Sequence, residues 1–424
     1  MEKMRAFRRN YLNILIIISS FVLRIYYCLI TTVGDRQHDL GYATYLNDGK
    51  INPGHLGYVE YIAKFGHLPD FDPFSIFSYY HPPIHHIIAA LFVKAAHALG
   101  ISEPACYEAI QIPTCIYGCL CVLVGYAILR RLTTDSAKLA LPLALIAYHP
   151  SLIYMCGTVN NDMLATLMIF LCIYTTILWM QTKSLKHLVL MALSIGIGMI
   201  VKLNVVVMAC PMAVIMLMHL IEEYKSGNLG RCIRQYVLFG CISIPIGLSW
   251  SIRNIILFHV KPGISSASPE SNQYIGSFPL NEIIGMPVSS SLAFPFHSEN
   301  ASYCHNAWSI MFKTSIFAEI WPENIDKGSL LLCQIAFVVT IILGVLFALM
   351  CILRPILMIR RGNRQLGALL LTGFLAVIAT YVCFVIKYPY TCSCDFRYIA
   401  GILVFDAITL LPLCDEASRH THEA

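Results

Sequence analysis

The stretch LLLCQIAFVVTIILGVLFALMCIL at residues 330–353 carries no charged side chain along its whole length. An α-helix over these residues rises about 36 Å, which is enough to cross the roughly 30 Å hydrocarbon core of a bilayer. A helix that is apolar on every side is typical of a membrane span rather than of a soluble surface helix. Residues 330–353 therefore predict a transmembrane helix.

The composition of the whole chain extends this prediction. Only 12% of the 424 residues are charged, whereas about 25% is usual in soluble globular proteins. Hydrophobic residues make up 57% of the chain, and the mean hydropathy is +0.67. The net charge of +5 is spread thinly, without a contiguous basic element, which excludes nucleic acid as a partner. The composition predicts an all-α polytopic membrane protein.

Apolar runs predict about ten transmembrane helices within a single transmembrane domain over residues 1–424. We expect the first run to remain as a span, because no small-residue cleavage site follows it. The predicted spans are Tyr11–Ile30, Tyr107–Leu129, Leu139–Tyr154, Met163–Met180, Leu188–Lys202, Leu203–Ile221, Tyr236–Phe258, Leu330–Leu353, Gly367–Ile386 and Tyr398–Leu413.

The segment Ile84–Leu99 is short for a span, and its pattern favours a helix lying in the membrane interface. His86, Ala90, Lys94 and His97 fall on one helical face. If this segment crossed the membrane, every later loop would change side and most of the basic residues of the predicted inner loops would lie outside. The positive-inside rule therefore predicts a flat helix and a cytoplasmic N-terminus.

With this topology, two long segments lie at the outer face. The first outer loop covers residues 31–105 and includes the interfacial helix, and the second outer loop covers residues 259–329. Loops of this length are usually functional or disordered. Many acidic residues lie in or beside these outer segments, which favours chemistry at the outer face.

Most of the seventeen cysteines fall inside predicted spans, where cysteine packs as a small apolar residue. The chain has no Cys-x-x-Cys pair, which argues against a thiolate zinc or redox site. One disulfide from Cys304 to Cys392 or Cys394 is compatible with the topology.

The first outer loop is rich in His and Asp. Such a group can bind a divalent cation or position a general base, or it can merely hydrate the surface. The spacing matches no metal-binding motif, so we assign no metal ligand. Whether a divalent cation serves as a cofactor stays open at this point. The residues in question are Asp35, His38, Asp39, Asp48, His55, His81, His85 and His86.

An ordered set of motifs resembles the GT-C superfamily of membrane glycosyltransferases, and within it the ArnT-like and protein-mannosyltransferase-like enzymes. After an acidic residue early in the first outer loop, the motifs are YHPPIHH (80–86), TVNNDMLATL (158–167), GIGMIVKLNVVV (196–207), IPIGLSWSIRN (244–254) and CDFRYIAG (394–401). The resemblance covers about residues 1–410 in order.

The resemblance implies an inverting enzyme that moves a hexosyl or pentosyl group from a polyprenyl-phosphate-linked sugar to an acceptor at the outer face of the cell membrane. Such a reaction needs a carboxylate to deprotonate the acceptor hydroxyl. The family usually places an Asp-Glu pair there, whereas this chain has DRQHD at residues 35–39. The base is therefore open between Asp35, Asp39 and Asp48. We favour Asp39, because His38 adjoins it and its distance from the membrane exit suits an interfacial site.

The departing lipid phosphate needs cations in a place of low dielectric constant. Lys202, Arg253 and Arg397 lie at outer span ends, although such residues also snorkel to the interface without further function. Asp162 is expected to contact the substrate or to cap the fourth span. His38, His81 and His85 complete the predicted substrate-binding set.

The predicted function is cell-envelope glycosylation, with a glycan, lipid or protein acceptor. The alternative is a polytopic transporter or a lipid-carrier flippase without transferase chemistry. Transporters place ionisable groups at the membrane midplane and often contain inverted repeats. In this chain the ionisable groups concentrate at outer span ends, and the two halves show no matching pattern, which favours the enzyme.

Overall fold

The structure is a computed structural model that describes residues 2–39, 51–260, 274–276, 278–286, 288–297, 305–320, 322 and 324–411. Over these ranges the protein consists of helices and connecting turns, and an isolated bridge pairs Tyr274 with Tyr390. Asp48 and Cys304 lie outside the described residues. The structure confirms an all-α fold.

Sixteen α-helices follow one another in the described ranges. Their bounds are α1 Glu2–Ile30, α2 Gly54–Phe65, α3 Ile84–Ala98, α4 Gln111–Leu132, α5 Ser136–Tyr148, α6 Pro150–Tyr154, α7 Asp162–Thr182, α8 Leu185–Val201, α9 Ala209–Lys225, α10 Leu229–Phe258, α11 Leu280–Ile284, α12 Val288–Ala293, α13 Ala307–Phe317, α14 Lys327–Arg360, α15 Arg364–Lys387 and α16 Leu403–Leu410. Short 3-10 helices lie at Arg36–His38, Ala105–Ile110, Met155–Gly157, Leu203–Met208 and Phe396–Ile402.

Seven helical segments of the described chain are long and apolar enough to cross a membrane, and the bent pair α5 and α6 makes an eighth. Each of the ten predicted spans coincides with helix, but α8 and α16 are shorter than a full span. The 55° bend between α5 and α6 occurs where Pro150 begins a new helix. These spans confirm a polytopic membrane protein.

Arg24 of α1 stabilises the break between α5 and α6. Its side chain is fully buried and donates hydrogen bonds to the carbonyl oxygens of Ala147, at 2.7 Å, and Ile146, at 3.4 Å. The last carbonyls of a helix have no partner within the helix, so a buried end requires an outside donor. Arg24 supplies that donor, and the chain can turn within the bundle towards residues 155–162.

The first outer segment is a folded unit rather than an irregular loop. Its helix α2, which the sequence did not reveal, packs against α3, and together with residues around Tyr107 they enclose a separate apolar core. The helix α3 contributes Ala89, Ala90, Val93 and Ala96 to this core. Its 15 residues span only about 22 Å, which is too short to cross the hydrocarbon region.

The polar face predicted for α3 is wrong in its first half. His86 and Ala90 are buried in the unit formed with α2, whereas Lys94 and His97 are exposed. The reason is tertiary: α2 covers the first turns of α3, and a helical periodicity alone does not show which face another element will cover.

In the second outer segment, α13 packs against α14, α6 and the 3-10 helix Phe396–Ile402. Ser151 donates a hydrogen bond to the carbonyl of Ser315 at 2.8 Å, and Tyr154 donates one to the carbonyl of Ile316 at 2.9 Å. These bonds fasten the end of α13 to α6. Glu319, two residues beyond the end of α13, is thereby brought to the end of the bundle.

The helix ends separate into two groups. The C-terminal ends of α1 and α8 meet the N-terminal ends of α7 and α16, as hydrogen bonds and ion pairs between them show. The basic turns meet at the other end, where Lys183 after α7 donates a hydrogen bond to Gln365 at the start of α15. Asp39, Asp162, Lys202 and Arg397 therefore converge at the first of these two ends.

Candidate active site

The junction between α7 and α8 sets the position of Asp162. Asn161 donates a hydrogen bond from Nδ2 to the carbonyl of Val201, the last residue of α8, at 2.7 Å. The backbone then becomes extended at Lys202, which ends α8 and pairs its ammonium group with the Asp162 carboxylate. The side chain of Asn160 accepts from the amide of Asp162 at 2.9 Å, so Asn160, and not Asp162, binds the first free amide of α7.

Asp39 is held in an unusual backbone conformation at the end of the first 3-10 helix. Its φ and ψ of 51° and 52° lie in the left-handed region, which Asp tolerates better than most residues. The preceding His38 is fully buried, with Nδ1 2.6 Å from the Thr32 carbonyl and Nε2 2.8 Å from the Tyr27 hydroxyl. The backbone amide of Val159 donates to the His38 carbonyl at 2.8 Å. His38 thus anchors the turn that presents Asp39.

The Asp39 carboxylate lies against the start of α7 and the 3-10 helix Phe396–Ile402. Its Oδ2 atom accepts a hydrogen bond from Asn160 Nδ2 at 2.9 Å and lies 2.9 Å from Nη1 of Arg397. The carboxylate remains 28% exposed. All contacts that the described residues make with this group go to Oδ2, which leaves Oδ1 for another partner.

Arg397 is the centre of the cluster. Besides Asp39, its guanidinium group lies 3.4 Å from Asp395, 3.6 Å from Glu319 and 3.9 Å from Asp162, and the side chain is only 10% exposed. The ring of Tyr398 lies 5.3 Å from this guanidinium and 5.0 Å from the Lys202 ammonium, within range of cation–π attraction. Four carboxyl groups therefore surround two cations at one end of the bundle.

Burial and charge set the protonation of this cluster. Burial alone would raise the pKa of Asp39, but the charge of Arg397 and the hydrogen bond from Asn160 hold this pKa well below its usual value. Burial and then the negative charge of Glu319 raise the pKa of Asp395 well above its usual value, against the effect of Arg397. Asp39 is consequently ionised at neutral pH, whereas the site favours the protonated form of Asp395 more than water does.

Histidines of the first outer segment line one side of Asp39. His55 Nε2 lies 3.9 Å from Asp39 Oδ2, and its Nδ1 is 3.0 Å from Nε2 of His86. The ring of His81 stacks on His55 at 4.9 Å. Burial lowers the pKa of His55 to about 4 despite the attraction of Asp39, so this imidazole is neutral at pH 7. His85 places Nε2 2.9 Å from the Val159 carbonyl.

The structure brings together Asp39, Asp162, Lys202 and Arg397. Three other candidates lie elsewhere. Asp35 accepts a hydrogen bond from Thr32, at 3.0 Å, and begins the 3-10 helix. Arg253 donates to the carbonyl of Pro69 at 2.5 Å and packs beside Trp250, while His38 is enclosed beneath the loop.

Sequence reasoning missed several members of the cluster. Glu319 lies in a segment without any recognisable motif, so nothing in the sequence identifies it. Asp395 and Asn160 belong to the motifs CDFRYIAG and TVNNDMLATL, in which the resemblance identified only Arg397 and Asp162. His55 was recognised only as one histidine among several. Among the described residues, no group of three or more His, Cys, Asp or Glu side chains is arranged to hold a metal ion.

Comparison with solved structures gives distant matches. The Archaeoglobus fulgidus oligosaccharyltransferase, in a crystal structure with zinc and sulfate, is 12% identical with a TM-score of 0.49, and the match covers 96% of this chain and 50% of that one. ArnT from Cupriavidus metallidurans bound to undecaprenyl phosphate is 14% identical with a TM-score of 0.40, covering 94% and 76%. The chain spans about half the length of the archaeal enzyme.

No curated protein gives a significant match to the sequence. A family model does match: residues 80–237 fit the family described as dolichyl-phosphate-mannose-protein mannosyltransferase. The matched range begins at the YHPPIHH motif and includes both Asp162 and Lys202 of the cluster. Over these residues, the match supports the resemblance to the GT-C superfamily of membrane glycosyltransferases.

Proposed function

We propose that the protein is an inverting glycosyltransferase that moves a sugar from a polyprenyl-phosphate-linked donor to an acceptor at the outer face of the membrane. This proposal rests on the contact between the Asp39 carboxylate, which can act as a base, and the Arg397 guanidinium group. Lys202 and Asp162 belong to the same cluster. A carboxylate that accepts a proton and cations that accept a phosphate are the two requirements of the reaction.

Lys202 and Arg397 are proposed to bind the lipid phosphate. Their charges lie where helices end, so that the phosphate of a lipid carrier reaches them while its apolar chain stays in the bilayer. Tyr398 lies against both cations and restricts their movement. As the bond from sugar to phosphate breaks, negative charge grows on the phosphate, and prearranged cations in a poorly hydrated site stabilise that charge strongly.

Asp39 is proposed to be the base. Its carboxylate is ionised and 28% exposed, so it can accept a proton from an incoming hydroxyl group. The hydroxyl oxygen attacks the anomeric carbon of the sugar while its proton passes to Asp39. The bond from that carbon to the phosphate oxygen breaks on the opposite face and leaves its electron pair on the phosphate. One displacement of this kind inverts the anomeric configuration.

The proposed sidedness is supported by the two groups of helix ends. The basic turns lie at one end of the bundle and the cluster at the other, so the positive-inside rule supports a cytoplasmic N-terminus and an outward-facing cluster. The proposal treats residues 1–424 as one transmembrane domain. In this proposal, α3 lies in the interface, and the described parts of the first and second outer segments lie on the outer side of the cluster.

The acceptor is proposed to be a hydroxyl group of a protein, glycan or lipid. Asp39 requires only that the attacking atom carries a removable proton, so the chemistry of this carboxylate is common to the three classes. The matched family is described by a protein acceptor and a dolichyl-phosphate mannose donor, which makes these the first substrates to try.

The test uses the purified full chain in detergent micelles. Radiolabelled dolichyl-phosphate mannose and a panel of other polyprenyl-phosphate sugars are supplied with a total membrane extract as acceptor. We expect transfer by the wild type and a loss of about 10²-fold or more in Asp39→Asn. Asp72→Asn, which alters another acid of the first outer segment whose amide can still accept from Phe74, should retain the wild-type rate.

The alternative is transport of a lipid carrier without transfer. Vesicles containing the protein and a labelled polyprenyl-phosphate sugar distinguish the two functions. Movement of the label between leaflets, together with the absence of transfer from every donor in the panel, would reject the transferase. Undiminished transfer by Asp39→Asn would reject Asp39 as the base.

A further inference from the structure

We propose that the proton removed from the acceptor comes to rest on Nε2 of His55, which receives it from Asp39. This inference rests on the proposed transferase function and deepens it, because it assigns a further residue to the same reaction. His55 lies beside Asp39 and belongs to helix α2, which the sequence did not reveal.

The His55 imidazole is held in a fixed orientation. It enters from the first turn of α2 and is buried, with Nε2 3.9 Å from Asp39 Oδ2 and Nδ1 3.0 Å from His86 Nε2. The His55 and His86 rings are nearly parallel, with 5° between their planes, and His81 stacks against His55. The ring therefore turns one nitrogen to Asp39 and the other to His86.

The hydrogen bond to His86 decides which nitrogen can take a proton. When Nδ1–H of His55 donates to Nε2 of His86, the lone pair of His55 Nε2 points towards the Asp39 carboxylate. Two acceptor atoms then face each other across 3.9 Å, which is longer than a hydrogen bond and explains why none joins them. Among the described residues, no donor occupies Nε2, so it is an open proton acceptor.

The charges around Asp39 disfavour a proton that stays there. When Asp39 is protonated, it loses its ion pair with Arg397. Its hydrogen bond from Asn160 is also weaker, because the carboxylate no longer carries a negative charge. A proton on His55 restores the carboxylate and places an imidazolium group 3.9 Å from it. The pKa of His55, at about 4, lies above the pKa of Asp39, which points in the same direction.

The charges around His55 also make its ability to accept a proton depend on whether the lipid-linked sugar is bound. Asp39 and Asp162 favour an imidazolium group, whereas Lys202, Arg397 and the neighbouring His81 disfavour it, and His86 faces Nδ1. A lipid phosphate bound at Lys202 and Arg397 offsets their charges. His55 consequently becomes a better proton acceptor when the donor is in place, at the moment when a proton must be accepted.

The balance of the step is complete without any further reactant. The acceptor oxygen bonds to the anomeric carbon, the carbon–oxygen bond to the phosphate breaks, and the phosphate keeps that electron pair. The proton passes to Asp39, and rotation about the Cβ–Cγ bond turns the protonated oxygen towards His55 Nε2. When the products leave, the imidazolium group releases the proton to water.

The test compares pH–rate profiles of wild type and His55→Phe between pH 4 and pH 8. Phenylalanine keeps a ring between its neighbours but removes both nitrogens. We expect a rate at pH 7 lowered by roughly 10- to 100-fold, and loss of the decline in rate that protonation of His55 causes as the pH falls. His67→Phe, which replaces an exposed histidine of the same segment, should keep the wild-type profile.

Binding of polyprenyl phosphate to the same variants separates chemistry from folding. His55→Phe should bind this lipid within about threefold of the wild type while transferring slowly. If it binds normally and retains both the wild-type rate and the wild-type decline at low pH, the inference is wrong. If its lipid binding is lost, the histidine is structural, and the inference is again wrong.

The same experiment separates the inference from the function on which it rests. A wild type that transfers, an inactive Asp39→Asn and a His55→Phe variant indistinguishable from wild type would remove only the role of His55. A wild type that transfers no sugar from any polyprenyl-phosphate donor would remove both the function and the inference.

Discussion

The guanidinium group of Arg397 lies 2.9 Å from the carboxylate of Asp39, although the two residues come from opposite ends of the chain. This contact closes the first outer segment onto the entry of the last helix. The same guanidinium reaches Glu319 of the second outer segment at 3.6 Å and Asp162 of α7 at 3.9 Å. One cation thus connects the separate segments that form the cluster.

Removing Arg397 should destabilise the protein as well as stop catalysis. Arg397→Gln leaves several buried carboxyl groups without their cation, and loss of one partner of a buried ion pair costs about 3–5 kcal/mol. Thermal unfolding in detergent micelles should show a clear decrease, and Asp39→Asn combined with Arg397→Gln should lose less than the two single losses added together. Arg36→Gln is the control, since its 38% exposed side chain lies 3.9 Å from Glu319 and should contribute about 1 kcal/mol or less. Strict additivity of the two losses would contradict the network.

Lys202 should determine the affinity for the lipid phosphate. Lys202→Met removes a positive charge from a poorly hydrated position, so binding of polyprenyl phosphate should weaken by about tenfold or more. Equilibrium binding to the purified protein measures this change. Lys94→Met, on the exposed side of α3, is the matched control and should bind as the wild type does. Equal affinity in both variants would show that the phosphate binds elsewhere.

Asp395 should give stability a distinct pH dependence. Its pKa is raised in the folded state, so the folded protein holds a proton that the unfolded chain releases, and stability from this residue is lost as the pH rises through the folded pKa. Asp395→Asn stays neutral and should unfold at a higher temperature than wild type, with a difference that grows as the pH rises above about 4, the ordinary pKa of an aspartate. Glu103→Gln, which alters a 59% exposed carboxyl, should show no such trend. A difference that shrinks with rising pH would contradict the assignment.

Gly157 should be intolerant of a side chain because His38 lies against it. A Cβ atom at Gly157 would stand 2.3 Å from Nε2 of His38, which the rigid imidazole cannot avoid without moving. Gly157→Ala should therefore displace the turn that carries Asp39 and lower the transfer rate by about tenfold or more, since small displacements of catalytic groups have effects of this size. Gly230→Ala, where no atom lies within 4 Å of the added carbon, should be neutral. A wild-type rate for Gly157→Ala would show that His38 does not position Asp39.

Much of the fold was accessible from the sequence, and for a definite physical reason. Backbone groups in hydrocarbon must form their hydrogen bonds within a helix. A long apolar run such as residues 330–353 therefore forms a membrane-spanning helix. The segments outside the membrane have no such restriction. Residues 54–65 contain no long apolar run, and their helix α2 owes its stability to the core that it shares with α3. The predicted polar face of α3 was wrong for the same reason.

The residues of the candidate site also fall into two groups: those that the sequence indicated and those that only the structure identified. Motifs indicated Asp162, Lys202 and Arg397 one at a time, because each interrupts or borders an apolar run where a charge is costly and conspicuous. Glu319 and His55 carry no such signal, since a charged or polar residue in an outer segment is ordinary. Their importance depends on neighbours that are distant along the chain. Only the packing of α13 on α6 and of α2 on α3 brings them to Arg397 and Asp39.

The sequence by itself determined that this protein is a helical membrane protein, that its spans lie where the apolar runs lie, and that its isolated charges border those spans. These properties depend on the transfer of each segment between water and hydrocarbon, which is local in the chain. The tertiary structure alone decided that Asp39 pairs with Arg397 and faces His55. Electrostatic attraction depends on distance in space, and spacing along the chain does not determine that distance.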